Sequence, residues 1–309
     1  GGITDNTPRL DYTDSSCPSL LLEPQRTNIF AQSEYYNTYW FHTNSSVSNN
    51  QLESPEGFIN ASVLSATSPS QSGINVFNTW SDSTTYTMSA FVKKKIGSYI
   101  GFGVYGNAMG DEWIKWNLDN GTSTATNLWT NADFEDFGNG WYRISATITT
   151  TSGSTSKSGF KLNLMTNTSY SSGNVGDEAY IYGLQLEVGS YATSYIPTYG
   201  SSVSRVKEIC EVTSAEDLIG QTEGTIAGEF NYDSGAPTNR LFSITGADWN
   251  TIGSIRFDII GLKPQATIRA NGGEPAKIIG TQDINVGSLV KFAVVYTSTT
   301  LKMFINGAQ

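Results

Sequence analysis

Two adjacent carboxylate pairs, Asp111-Glu112 and Asp177-Glu178, are the side chains best suited by type to general acid and base work. Glycoside hydrolysis needs two carboxyl groups facing each other across a cleft. Neighbours along a strand point to opposite faces, so neither pair forms such a dyad by itself. The Glu-x-Asp-x-x-Glu strand motif of lectin-fold glucanases is absent, and the single histidine, His42, has no Gly-x-Ser-x-Gly nucleophile elbow to serve. Catalysis is not expected. Sugar binding is a different matter, because aromatic rings stack on pyranose faces while nearby amides and carboxylates fix the hydroxyls. The candidates are Trp40, Trp80, Trp113, Trp116 and Trp129, with Tyr35, Tyr36 and Tyr39 near the start. Trp113 and Trp116 are three apart and cannot share a strand face. At most one of them enters the core, which leaves the other as a ligand platform or a contact with another chain. Trp141, opening a strongly alternating segment, reads as packing.

Metal chemistry is narrower still. One histidine and two distant cysteines, Cys17 and Cys210, exclude a zinc site built from several N and S ligands. The cysteines read as two buried thiols rather than a disulfide. A structural calcium needs several carboxylate and carbonyl oxygens. Asp11, Asp14, Glu23 and Glu187 would supply them if the N-terminal arm packs beside the closing strand; otherwise they are solvated, or pair with Arg9 and Arg26 to pin the arm.

Composition sets the class of partner. The formal net charge of the 309-residue chain is −10, with a sequence pI near 4.6. Nucleic acid would require clustered Lys and Arg to neutralise phosphates, and the short run Lys93-Lys94-Lys95 reads as a solvated strand end. Neutral sugars suit an acidic surface; anionic polymers suit it less unless a cation bridges them. No apolar run reaches membrane-spanning length, so no membrane insertion is expected.

Stepping out to the elements, charged residues are only 15% of the chain, and Gly, Ser, Thr and Asn are abundant beside Tyr, Phe and Trp. That mixture favours short strands joined by turns. Strands are read over residues 86–92, 99–105, 113–118, 141–148, 160–165 and 179–186. Tyr86, Met88, Ala90 and Val92 share one face, as do Tyr142, Ile144, Ala146 and Ile148, while 99–105 alternates Gly with larger residues. Asp119-Asn120-Gly121 and Asn306-Gly307 read as tight turns, and 149–159 as a hairpin loop. A second series covers 224–230, 240–245, 252–260, 266–270, 289–296 and 301–305. The fold class expected is all-β: two tandem antiparallel β-sandwiches of jelly-roll or lectin type. Residues 1–35 form an irregular arm on module one, 36–205 the first sandwich, and 206–221 a linker with a short helical turn at 214–218. Residues 222–309 form a second sandwich, expected to be incomplete with its partner strand beyond Gln309.

Pro8-Arg9-Leu10-Asp11-Tyr12, followed by Cys17-Pro18-Ser19-Leu20-Leu21-Leu22-Glu23-Pro24-Gln25-Arg26-Thr27-Asn28, resembles a signature near the start of modules in bacteriophage virion proteins. Phe91-Val92-Lys93-Lys94, Gly138-Asn139-Gly140-Trp141-Tyr142-Arg143, Ile181-Tyr182-Gly183-Leu184-Gln185-Leu186-Glu187 and Ala192-Thr193-Ser194-Tyr195-Ile196-Pro197-Thr198 extend the likeness in order. From about residue 222 the chain resembles a concanavalin A or laminin G-type sandwich, on the cue of Lys302-Met303-Phe304-Ile305-Asn306-Gly307. The resemblance implies a carbohydrate-binding-module-like jelly roll followed by a lectin-like sandwich on the surface of a phage tail or capsid. It implies polysaccharide and other virion proteins as partners, and a homo-oligomer, a trimer if the protein belongs to a fibre. The competing implication is a structural decoration or spacer that makes only protein contacts.

Overall fold

Period-two alternation runs through most of the chain, and in the computed structural model it becomes sheet, with no helix among the described residues. The structure describes residues 9–11, 18–79, 81–106, 110–151, 157–170, 172–210, 220, 222–232, 238–245, 254–269 and 276–309. Trp80, Asp14, Cys17 and the turn expected at 214–218 lie outside them. The chain divides into two compact units, Gly1–Cys210 and Glu211–Gln309.

The first unit begins with Arg9–Asp11 (β1), Ser19–Leu21 (β2), Arg26–Asn28 (β3), Phe41–Thr43 (β4), Ser45–Glu53 (β5), Ile59–Ala66 (β6), Ser72–Thr79 (β7) and Thr85–Ile96 (β8). It continues with Tyr99–Gly106 (β9), Gly110–Asn117 (β10), Ser123–Ala125 (β11), Trp129–Asp136 (β12), Trp141–Thr149 (β13), Lys157–Met165 (β14), Glu178–Val188 (β15) and Val203–Arg205 (β16). Two six-stranded antiparallel sheets, β11-β10-β9-β14-β7-β4 and β12-β13-β8-β15-β6-β5, form the sandwich. The expected inward faces are found. Met88, Ala90, Val92, Ile144, Ala146 and Ile148 from one sheet are buried with Ile74, Ile100, Phe102, Ile114, Phe160 and Leu162 from the other. Trp116 joins this core, edge-on to Phe102 at 5.2 Å. In β15 a bulge between Tyr182 and Gln185, with Gly183 at φ +60°, shifts the register so that Ile181, Leu184 and Leu186 all stay inside. The Asn120-Gly121 turn joins β10 to β11 as expected, Gly121 N donating to Asn117 O at 2.8 Å. The hairpin expected at 149–159 is not one. β13 pairs with β8 and β12, whereas β14 pairs with β7 and β9, so the chain crosses between sheets there. Local composition marks a loop but not the sheet that receives the next strand.

The outer face of the second sheet is polar, and the arm covers it. Arg143 is buried, donating from Nη2 to Ser89 Oγ (3.1 Å) and Thr193 O (2.6 Å). Glu187 is buried beside it, accepting from Thr193 N (3.0 Å), Thr193 Oγ1 and Gln185 Nε2 (2.8 Å). Glu23 accepts from Ser194 N (2.7 Å) and pairs with Arg9 and with Arg205 (2.9 Å). Glu208 holds Arg9 from the other side at 2.6 Å. Asn28 substitutes for a strand: Nδ2 donates to Ile196 O (2.9 Å) and Leu184 O (3.3 Å), and Oδ1 accepts from Leu186 N and Phe30 N (3.2 Å each). Nearby, buried Glu34 accepts from Tyr182, Tyr195 and Tyr199 at 3.2, 3.1 and 2.9 Å. Burial first, and then the negative Glu34, hold the Tyr182 and Tyr195 hydroxyls well above their ordinary value, so both remain donors.

The second unit comprises Gly224–Tyr232 (β17), Thr238–Thr245 (β18), Ser254–Ile260 (β19), Lys263–Arg269 (β20), Ala276–Ile279 (β21), Ser288–Tyr296 (β22) and Leu301–Ile305 (β23). Sheets β17-β22-β23 and β18-β19-β20-β21 meet through stacked rings, Phe257 lying on Phe292 at 4.6 Å with Phe242 and Phe230 alongside. Asn306 (φ +49°) and Gly307 (φ +84°) make the expected tight turn after β23.

Two outcomes follow from the arm. Asn28→Ala orphans buried backbone groups on three segments and should lower stability by about 1–3 kcal/mol for each group left unpaired, measured by urea denaturation. Burial would raise the Glu23 carboxyl, but hydrogen bonds from Arg9 and Ser194 N and the Arg205 charge outweigh it and hold the group below 4.5. Its contribution is therefore complete above that value and lost as the pH falls through the lower folded one. Hydrogen exchange should show residues 193–205 losing protection on acidification before the sandwich core does.

Candidate functional site

With one outer face of the first sandwich closed by the arm, the other outer face presents the larger set of groups able to hold a ligand. Register maps it. Asp111, Tyr105, Gly159 and Phe77 lie side by side across β10, β9, β14 and β7. The next row runs Trp113, Gly103, Lys161, Asn75 and Phe41, and the third Lys115, Gly101, Asn163, Gly73 and Thr43. The second and third rows each span four inter-strand spacings, about 19 Å at the usual separation. Glycine alternates with the bulky groups for a steric reason. A Cβ on Gly103 would overlap the Trp113 ring and one on Gly159 would overlap Tyr105, so both rings lie down on the sheet.

The rows are not uniform in exposure. Phe41 is 60% and Phe77 41% exposed, and they meet edge to face at 5.5 Å. Phe77 then meets Tyr105 at 5.7 Å, extending an aromatic file across the sheet. Tyr39, Phe41 and Phe77 line a shallow depression at its outer end. Polar groups flank it: Asn75 donates to Thr43 Oγ1 at 2.9 Å, and Asp111 is exposed at the other end. Lys161 is set into the middle, its ammonium 4.3 Å from the Tyr105 ring centre and 5.0 Å from that of Trp113. Burial lowers the Lys161 ammonium from its ordinary value, with Asp111 opposing. Lys115 closes the far side of the face, donating to Thr166 O (2.8 Å) and Asn167 O (2.7 Å) and lying under Tyr170 at 4.4 Å.

The tryptophans proposed as platforms are placed otherwise. Trp40, Trp113, Trp116 and Trp129 are all buried. Trp113 and Trp116 do sit on opposite faces of β10, as their spacing requires, yet the outward one is only 7% exposed. The flat seat on Gly103 and the Lys161 side chain above it remove the ring from solvent, so it serves as a shelf for the cation rather than for a ligand. Of the tyrosines, Tyr36 is buried, Tyr35 is exposed off this face, and Tyr39 reaches the depression. Phe41, Phe77, Tyr105 and Lys161 were not singled out by sequence; the usable signal was the glycine alternation over 99–105.

The acids are also committed elsewhere. Glu23 and Glu187 accept from consecutive backbone N–H groups, Ser194 and Thr193, so the arm does lie by the closing strand. Their oxygens are occupied by guanidinium, amide and hydroxyl donors, which is the Arg9 pairing weighed against calcium. Among the described residues no three His, Cys, Asp or Glu side chains converge as a metal site would require, Asp11 included. Asp111 is exposed while buried Glu112 accepts from Thr126, so these neighbours point apart as expected. Cys210, read as buried, is an exposed free thiol, because it follows the last strand of the unit with no sheet face to cover it.

No family model matches the chain, and no curated protein matches it in sequence. Several solved structures are similar to it, and two of them span about half of this chain. One is the N-terminal part of endo-1,4-β-D-xylanase 10B from Clostridium thermocellum complexed with xylohexaose: 11% identity, TM-score 0.34, 56% of this chain and 30% of that chain covered. The other is a protein of Bacteroides thetaiotaomicron whose assignment as sugar-binding is provisional: 10% identity, TM-score 0.31, 52% and 95% covered.

Gly103→Ala forces Trp113 off its seat and uncovers Lys161. It should cost about 1–3 kcal/mol in urea denaturation, as overpacking does.

Proposed function

We propose that this protein is a non-catalytic component of a phage virion surface whose first sandwich attaches to host or environmental polysaccharide. The observation that carries the binding reading is the aromatic file of exposed Phe41 and Phe77 and half-buried Tyr105, laid across a glycine-rich sheet with exposed Asp111 at its end. Apolar rings beside hydroxyl-binding amides and carboxylates are what a sugar chain needs, and the width of the face suits an oligosaccharide rather than a single ring. The virion context rests on the motif resemblance, whose residues Arg9, Glu23, Asn28, Arg143, Gln185, Glu187 and Thr193 are those that lock the arm to the sheet. That is a reason for them to occur together in one kind of module whatever its ligand.

A second reading, a spacer or decoration that contacts only other virion proteins, draws on exposed Phe58, in the turn after β5, and exposed Ile59, which opens β6. The two readings separate experimentally. A glycan array with the fragment, repeated after Phe41→Ala and Phe77→Ala, should show binding weakened roughly fivefold or more by each change, the effect of removing a principal contact. Uniform absence of binding together with a stable higher-order mass in solution would replace attachment with architecture.

A further inference from the structure

Of the two buried lysines among the described residues, Lys115 is fully occupied by loop carbonyls. Lys161 is not. It is 9% exposed, and its ammonium has no hydrogen-bond acceptor and no ion-pair partner among the described residues, only the two rings. The side chain is covered along its length while the ammonium itself still reaches solvent, so a ligand can approach it where the protein offers only ring faces. The rings fix the position of the charge, at the centre of the second row between Gly103 and Asn75. Asp111 is near enough to act on Lys161 through space but makes no ion pair with it.

We propose that this face takes an acidic saccharide, with a uronate carboxylate seated on Lys161 between Tyr105 and Trp113; this rests on the polysaccharide-binding reading above. A carboxylate supplies the missing acceptor as a charge-assisted hydrogen bond, roughly twice as strong as one from a neutral hydroxyl. Tyr105, seated on Gly159 and partly exposed, offers its ring beside the ammonium to the sugar that carries the acid. The net charge of −10 does not prevent this, because at physiological ionic strength charges beyond about 8 Å are largely screened and the local cation decides. Asp111, exposed at one end of the face, then meets the hydroxyls on that side of the acid.

The test is calorimetric titration of the whole chain with galacturonate, glucuronate and mannuronate tetrasaccharides and with the carboxyl-reduced form of each. Wild type should bind at least one uronate about tenfold or more tightly than its reduced form, the scale of a hydrogen bond to a charged group. Lys161→Met keeps a flexible chain between the rings. It should bring that ratio close to one while leaving affinity for the reduced form unchanged, which also shows that the face is intact. Reduced forms that bind wild type as well as the acids do would overturn the acidic subsite and leave the sugar reading standing. Equal loss of both forms in Lys161→Met would make the lysine a packing element only and overturn the proposal. Failure of every saccharide would remove the polysaccharide reading, and this inference with it.

Discussion

Arg143 and Glu187 are ionisable side chains on the outer face of a sheet, and both are buried. Charges can be withdrawn from water in this way only when hydrogen bonds replace most of the lost hydration. Here Arg143 Nη2 and both Glu187 oxygens are bonded, while Arg143 Nε has no partner among the described residues. Their direct partners are Ser89 and Gln185 on the sheet itself and Thr193 beyond it. The arm fastens that last segment, Glu23 accepting from Ser194 N and pairing with Arg205 while Asn28 holds Ile196 O. The arm is therefore a clasp on the segment that closes over the buried pair, and its removal would leave Arg205 and Ser194 N without Glu23. The tyrosines gathered on Glu34 add a second fastening of the same kind.

That closure has a consequence for function. A sandwich has two outer faces, and here one is spent on the arm. The other has glycine at 73, 101, 103 and 159, where a covered face would carry packing side chains. Rings can lie on it, the outermost two remain in solvent, and a lysine is left in the middle with its charge unanswered. The same positions in the covered sheet hold Ser89, Thr87, Thr147 and Ser145, which hydrogen-bond or pack beneath the arm.

Trp113 shows how packing reassigns a residue. By type it is the best sugar platform on the face. By position it is outward. Yet an aromatic ring gains more by lying against a glycine-lined sheet under an aliphatic lysine stem than by standing in water. The exposed role passes to phenylalanines at the sheet edge, where β4 is only Phe41–Thr43 and no further strand covers them.

Much of the architecture was legible in the residue order. Alternation is local, so the inward faces of β8 and β13 and the turns at Asn120-Gly121 and Asn306-Gly307 could be read directly, as could the all-β class, whereas the bulge that resets β15 could not. Arg9 pairing with an arm acid was legible as the alternative to calcium, since an acid that holds no metal is solvated or paired. Which sheet receives β14 after β13, which tryptophans keep solvent access, and where the Cys210 thiol ends up were decided only in three dimensions. Each depends on partners from distant segments. A ring is exposed or covered according to what lies across the neighbouring strand, and Gly103 opposite Trp113, with Lys161 one strand further, is a relation that only the sheet register creates.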